Sequence, residues 1–235
     1  MSTSGDVPLP GWQPPTRPTR VKLQGQHCRI EPLVASRHAH DLYTANALDA
    51  EGSMWTYLAY GPFANESSYT EWLGLRERAE DALFFAIVDL TSNKALGVGS
   101  YMRIEPAWGT IEIGNLAYSP ELQRTIAASE AMYLLMRHAF ELGYRRYEWK
   151  CNARNAGSRR AAERLGFTFE GIFRQHMVYK GMNRDTAWYA LLDGEWPRVC
   201  AGFERWLDAD NFDSHGRQRR SLSECREAVA MKSPT

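Results

Sequence analysis

The chain has 235 residues, 44% hydrophobic and 24% charged, which fits one globular domain with extensions and a core closed without metals or disulfides. Its 28 Lys and Arg balance 28 Asp and Glu. A neutral chain lacks the surplus cations of a general nucleic-acid binder, so no nucleic acid is expected as a partner.

The first 20 residues hold Pro8, Pro10, Pro14, Pro15 and Pro18, which predict an extended arm, packed through Trp12 or left free. The stretch 27–34 alternates as a first strand, and Ser36 opens a helix in which Leu42, Ala45 and Leu48 share a face. Asn65 is placed to cap a second helix, with Tyr69, Trp72, Leu73 and Arg76 at helical spacing. The apolar run 82–90, the turn TSNK and residues 95–105 read as a hairpin, and 110–118 as the next strand.

Ala128, Met132, Leu135, Ala139 and Leu142 step by fours and threes, a single apolar stripe ended by Gly143. A strand at 145–152, a helix from Asn155 closed by Gly166, an antiparallel pair at 167–181 and 184–193, and a helix within 194–207 follow. The rest, with Arg217, Arg219 and Arg220, reads as a polar tail. Strands and helices mix without strict alternation, which favours an α/β sandwich with a mixed sheet.

Cys28, Cys151, Cys200 and Cys225 are widely spread, with no metal-knuckle spacing, which predicts free thiols, a reducing compartment and no metal. No apolar run approaches the roughly 18 residues that span a bilayer. The start MSTSGDVPLPGW lacks a basic segment followed by an apolar one. The expectation is a cytoplasmic chain without signal peptide or membrane partner. His38 and His40 diverge at i,i+2 on a helix and make a poor metal pair.

The chemistry concentrates between Thr110 and Phe167. A strand runs through the turn ELQRT into the start of the most regular helix, where unpaired amides and a partial positive charge suit a phosphate. The strand IEIGNLAYSP, the segment QRTIAASEA and the motif Asn155-x-x-Ser158-x6-Leu165-Gly166-Phe167 resemble the GNAT superfamily of acetyl-CoA-dependent N-acetyltransferases. More narrowly they resemble the branch that includes the ribosomal-protein alanine N-acetyltransferases.

That resemblance covers about residues 27–193 and implies a GNAT-like mixed, splayed sheet flanked by helices on both faces. It divides the chain into a Pro-rich arm (1–20), an N-acetyltransferase domain (21–193) and a C-terminal helix with polar tail (194–235). It also implies acetyl-CoA as co-substrate, held by Leu116, Ala117, Tyr118, the loop Gln123, Arg124, Thr125, Ile126, Ala127, Ala128 and Ser129, and by Asn152, Asn155 and Ser158. An amide near Leu116 or Tyr118 polarises the thioester, and a primary amine attacks it directly.

Alternation sets Glu112 on one face with Gly114, Leu116 and Tyr118, as the base that deprotonates the amine or as a structural glutamate; Glu148 is a second choice. Asn155 hydrogen-bonds the pantetheine or caps its helix. By the same resemblance Ser158 would protonate the departing thiolate, or it is an ordinary polar residue of the first turn; Ala162, standing where many relatives carry a tyrosine, strengthens the first role. Trp55, Tyr57 and Tyr60 form an acceptor wall or pack in the core. Cys151 reads as core rather than as a nucleophile.

The acceptor is a small-molecule amine or a peptide amino terminus, and a homodimer is the ordinary expectation for assembly. Ile126 stands where the family's phosphate loop has its first glycine, and its branched side chain is expected to crowd that amide. This motivates an alternative, a non-catalytic acyl-CoA-binding regulatory protein. A third reading, a nucleic-acid adaptor, rests only on the run RQRR at 217–220.

Overall fold

The computed structural model describes residues 8–230; residues 1–7 of the expected arm and 231–235 of the expected tail lie outside the described residues. One sheet contains β1 (Leu23–Gln24), β2 (Cys28–Pro32), β3 (Ala82–Asp89), β4 (Ala95–Glu105), β5 (Thr110–Tyr118), β6 (Arg146–Asn152), β7 (Thr168–Tyr179) and β8 (Met182–Leu192). Helices α1 (Ala35–Asn46) and α2 (Glu66–Glu77) join β2 to β3, and α3 (Ile126–Glu141) joins β5 to β6. Next, α4 (Ala156–Leu165) joins β6 to β7, and α5 (Trp196–Leu207) and α6 (Leu222–Ala230) follow β8. The strand order is β1-β2-β3-β4-β5-β6-β8-β7. All neighbours are antiparallel except β5 and β6, whose parallel pairing needs the crossover that α3 supplies.

This is the expected mixed sheet with helices on both faces. β3 shows why: Leu83, Phe85 and Ile87 face the core under α3, while Ala82, Phe84, Ala86 and Val88 face the core under α1 and α2. A strand covered on both faces reads as a continuous apolar run. The stripe on α3 is buried at Ala128, Met132, Leu135 and Ala139. Buried Glu130 on the same helix accepts from the amides of Gln26, His27 and Cys28 at 2.7, 2.7 and 2.8 Å, which ties α3 to the β1–β2 turn.

Several expectations need correction. α1 starts at Ala35, not Ser36, and Val34 offers it no side-chain cap. The Val34 amide donates instead to His38 Nδ1 at 3.1 Å and the Ala35 amide to Glu77 at 2.8 Å, a tertiary solution that no local motif announces. Leu42 and Ala45 are buried, but Leu48 lies past the helix end and is exposed. β1, only two residues long, carries no readable period. The segment expected as a polar tail contains α6, which buries Leu222 and Cys225.

The described part of the arm forms no helix or strand. It packs through buried Pro15 and Pro18, and not through Trp12, which is exposed. Arg17 and Arg20 fasten it by donating to the carbonyls of Glu80 and Ile104, and of Glu77 and Ala79.

Asn65 caps α2 as the sequence predicts, accepting from the Ser68 amide at 2.9 Å, with the Ser68 hydroxyl reciprocating in a capping box. Asn65→Ala is expected to cost about 1 kcal/mol, read as a lower denaturant midpoint at constant m-value.

Candidate active site

β5 and β6 pair only from Thr110 opposite Arg146 to Ile113 opposite Trp149. Beyond that point β5 stays with β4 and β6 stays with β8, so the two strands part. The cause lies in β5. Between Gly114, opposite Ser100, and Ala117, opposite Val98, the strand carries one residue more than its partner. Asn115 takes the left-handed φ of +52°, which asparagine tolerates better than most side chains. Such a bulge bends its strand and leaves a residue unopposed.

The bulge also corrects the expected alternation. Ile111 and Ile113 face the core under α3, so Glu112 and Gly114 face the other way. After the extra residue the order flips: Leu116 and Tyr118 pack toward α3, and Ala117 turns to the opposite core. Glu112 therefore does not share a face with Leu116 and Tyr118; they stand on opposite faces of the sheet, next to the gap.

On the α3 side a cavity of about 830 Å³ runs from the first turn of α3 toward Trp149. Tyr118, Gln123, Arg124, Thr125, Ile126, Ala128 and Ser129 line it, with Arg160, Arg164 and Arg217. Thr125 caps α3: its hydroxyl donates to the Leu122 carbonyl at 2.7 Å and accepts from the Ala128 amide at 3.1 Å. Ile126 is the first helical residue, and it packs partly against the core. Its amide and that of Ala127 have no acceptor among the described residues. Ser129 accepts from Arg164 at 3.1 Å, which brings that cation to the helix start, where burial lowers its pKa. Four arginines and free amides at one helix end make a site for a polyanion.

Within the gap, Asn155 accepts from the Ser158 amide at 3.0 Å and so caps α4. The Trp149 indole donates to Ser158 Oγ at 3.0 Å. With one lone pair engaged by the indole, the hydroxyl hydrogen is turned elsewhere. Asn155, Ser158, Trp149 and Leu116 all line a second cavity of about 240 Å³ that opens toward Glu112. Asn152 lines it too, but its side chain is spent on the Tyr179 hydroxyl and the Arg154 amide. Ala117 lines neither cavity. Cys151 lies beside the gap, where burial pushes its thiol up, away from the thiolate a nucleophile needs.

On the opposite face buried Glu112 is held through Oε2 by Arg103 at 2.7 Å and Lys150 at 2.9 Å, and Oε1 has no partner among the described residues. Lys150 also reaches Glu148 at 2.7 Å and lies 3.8 Å from the centre of the Trp188 ring. Burial raises the Glu148 pKa, but hydrogen bonds from Lys150 and Arg146 outweigh it and hold the group below the ordinary glutamate range. His176 and Arg184 complete this wall.

The aromatic segment behaves unevenly. Trp55 is buried and packs edge-on to Tyr60 and Phe63, away from the cleft. Tyr57 lines the cleft and donates to the Arg154 carbonyl, while Tyr60 donates to the carbonyl of Asn115 at the bulge, each at 3.2 Å. Lys180 Nζ meets the carbonyls of Trp55 and Gly61, each at 3.0 Å. Segment 53–61 is thus strapped across the acceptor side.

The sequence reading missed Trp149, His176, Arg184 and the cations on α4. Arg217, expected in a polar tail, pairs with Asp213 at 2.8 Å and faces the helix start. Among the described residues no group of three or more His, Cys, Asp and Glu could hold a metal ion, and no helix is long and apolar enough to cross a membrane.

Residues 28–168 match the family model described as the acetyltransferase (GNAT) domain. A GCN5-related N-acetyltransferase from Brucella melitensis is similar in structure, with 46% identity over 93% of this chain and 100% of its own, and a TM-score of 0.91. A probable GNAT-family acetyltransferase from Chromobacterium violaceum is 42% identical over 84% of this chain and 99% of its own, with a TM-score of 0.77. The microcin C7 self-immunity acetyltransferase MccE, solved with acetyl-CoA and AMP, shares the fold at 22% identity over 72% of this chain and 93% of its own, with a TM-score of 0.63. No match is found among curated proteins.

Proposed function

Because the chain belongs to the GNAT family of acetyl-CoA-dependent N-acetyltransferases, we propose that it transfers the acetyl group to a small primary amine by direct attack in the gap between β5 and β6. The observation that carries this reading is the parting of those strands after Ile113 and Trp149. It joins a cationic helix start on one face to a carboxylate on the other. The coenzyme's phosphates lie at the start of α3 among Arg124, Arg160, Arg164 and Arg217, and its pantetheine passes Trp149 and Asn155.

Leu116 sits in the bulge, where no residue of β4 pairs with it, whereas Tyr118 is paired with Gly97. The Leu116 amide is therefore the better donor to the thioester oxygen. The amine enters from the other face and loses a proton to Glu112, directly or through water. The neutral nitrogen forms a bond to the carbonyl carbon, the oxyanion collapses as the C–S bond breaks, and the nitrogen's second proton leaves to solvent. The thiolate takes the Ser158 proton, and Ser158 regains one from solvent.

The finer resemblance, to the ribosomal-protein branch, rests on Ser158 with buried Ala162 at the tyrosine's place. A protein amino terminus needs an open groove; the strap at 53–61 and a cavity of about 240 Å³ favour a smaller acceptor. Calorimetry with acetyl-CoA, followed by thiol release with an amine panel, tests the function. Binding with turnover is expected. Binding without turnover across a broad panel supports the regulator instead.

A further inference from the structure

Positive charge on the acceptor face exceeds what its carboxylates neutralise. Arg103 stands 2.7 Å from Glu112, and Lys150 stands 2.9 Å from Glu112 and 2.7 Å from Glu148. Arg146 pairs with Glu148 at 2.7 Å and with Glu170 at 2.5 Å. Arg184 is the exception. The adjacent carboxylate, Asp185, is taken up by the Gln175 amide and the Asn183 carboxamide. Arg184 Nε is buried and has no hydrogen-bond partner among the described residues; the guanidinium has only the Tyr179 ring, 5.7 Å away.

Its position is set by the fold. Alternation along β8 puts Arg184 on the face of Thr186 and Trp188, and Trp188 stacks under Lys150. Arg103 is turned in beside it by an irregularity in β4, where its φ is +44°. The excess charge is felt nearby: burial, then the charges of Arg103, Arg184 and Lys150, lowers the His176 pKa and keeps that ring neutral. A buried guanidinium Nε without an acceptor is costly, and a planar donor fork suits a carboxylate. A free ammonium ion alone would meet repulsion here.

We propose that the acceptor is a small amine that itself carries a carboxylate, the carboxylate held by Arg184 and the amino group directed to Glu112. This rests on the acetyltransferase reading above. The carboxylate neutralises the cation of this wall that has no carboxylate partner among the described residues, and the strapped cleft limits the size of what carries it.

Paired acceptors test it: amino acids against the matching amino-acid amides, with phosphoethanolamine against ethanolamine as a phosphate arm and short peptides as a third. Amides have the less basic amine, so intrinsic reactivity at neutral pH favours them, and any preference for the acid comes from the protein. The expected result is a kcat/KM at least about tenfold higher for the carboxylate member, carried mainly by KM. Arg184→Gln should collapse that ratio, and Arg184→Lys should restore part of it; the Arg184 side chain makes no hydrogen bond to the described residues, so both variants should melt like the parent. Preference for the neutral member, turnover of peptides alone, or a ratio unchanged in Arg184→Gln overturns the inference and leaves the acetyltransferase reading intact. A preference confined to phosphoethanolamine overturns the carboxylate assignment. Failure to bind acetyl-CoA overturns both.

Discussion

Ser158→Ala is expected to lower kcat about a hundredfold while acetyl-CoA affinity changes no more than about twofold, the range for losing a positioned proton donor. The geometry gives the reason. Asn155 accepts the Ser158 amide, and Trp149 donates to Ser158 Oγ, so backbone and hydroxyl are both fixed at the gap. Alanine keeps the helix start, because the capping bond uses the Ser158 amide and not its side chain. What is expected to be lost is the proposed proton for the leaving thiolate. Stopped assays of thiol release, paired with calorimetry on the same variant, separate the two effects. Equal losses in turnover and affinity would assign Ser158 to coenzyme binding alone.

Glu112→Gln is expected to lose stability and chemistry together. Glu112 and Glu148 face each other across the parallel pair, and Lys150 lies between them, nearly buried. An amide in place of Glu112 leaves Arg103 without its carboxylate and Lys150 with one of its two. Breaking a buried pair from one side costs roughly 3 kcal/mol, visible as a lower denaturant midpoint. If Glu112 Oε1 accepts the amine's proton, the acidic limb of the pH–rate profile disappears in the variant. A retained limb with lost stability would leave Glu112 a structural role and pass the proton to His176, whose neutral ring lines the same cavity.

The parts of the site that were legible in the sequence are those written in contiguous residues. Asn155 and Ser158 fall one helical turn apart, and Thr125 to Ser129 open a helix with an unbroken apolar stripe. The parting of the strands entered through family resemblance, because no local pattern states where two strands stop pairing. The bulge at Asn115 has a faint signal, Gly-Asn inside a strand, but period-two alternation takes no account of an extra residue and so sets Leu116 and Tyr118 on the wrong face. The Arg103–Glu112–Lys150 and Arg184 arrangement joins four separate strands and is invisible before the sheet order is known. Of the two readings the sequence leaves open for the aromatic segment, Trp55 takes the core, because its neighbours Phe63 and Tyr69 come from the next turn and helix, while Tyr57 lines the cleft.

The most direct measurement is a crystal structure of the protein with acetyl-CoA. The account predicts pyrophosphate at the amides of Ile126 and Ala127, pantetheine beside Trp149 and Asn155, and the thioester oxygen within hydrogen-bonding distance of the Leu116 amide. Coenzyme bound on another surface, or a thioester out of reach of both Leu116 and Ser158, would contradict it.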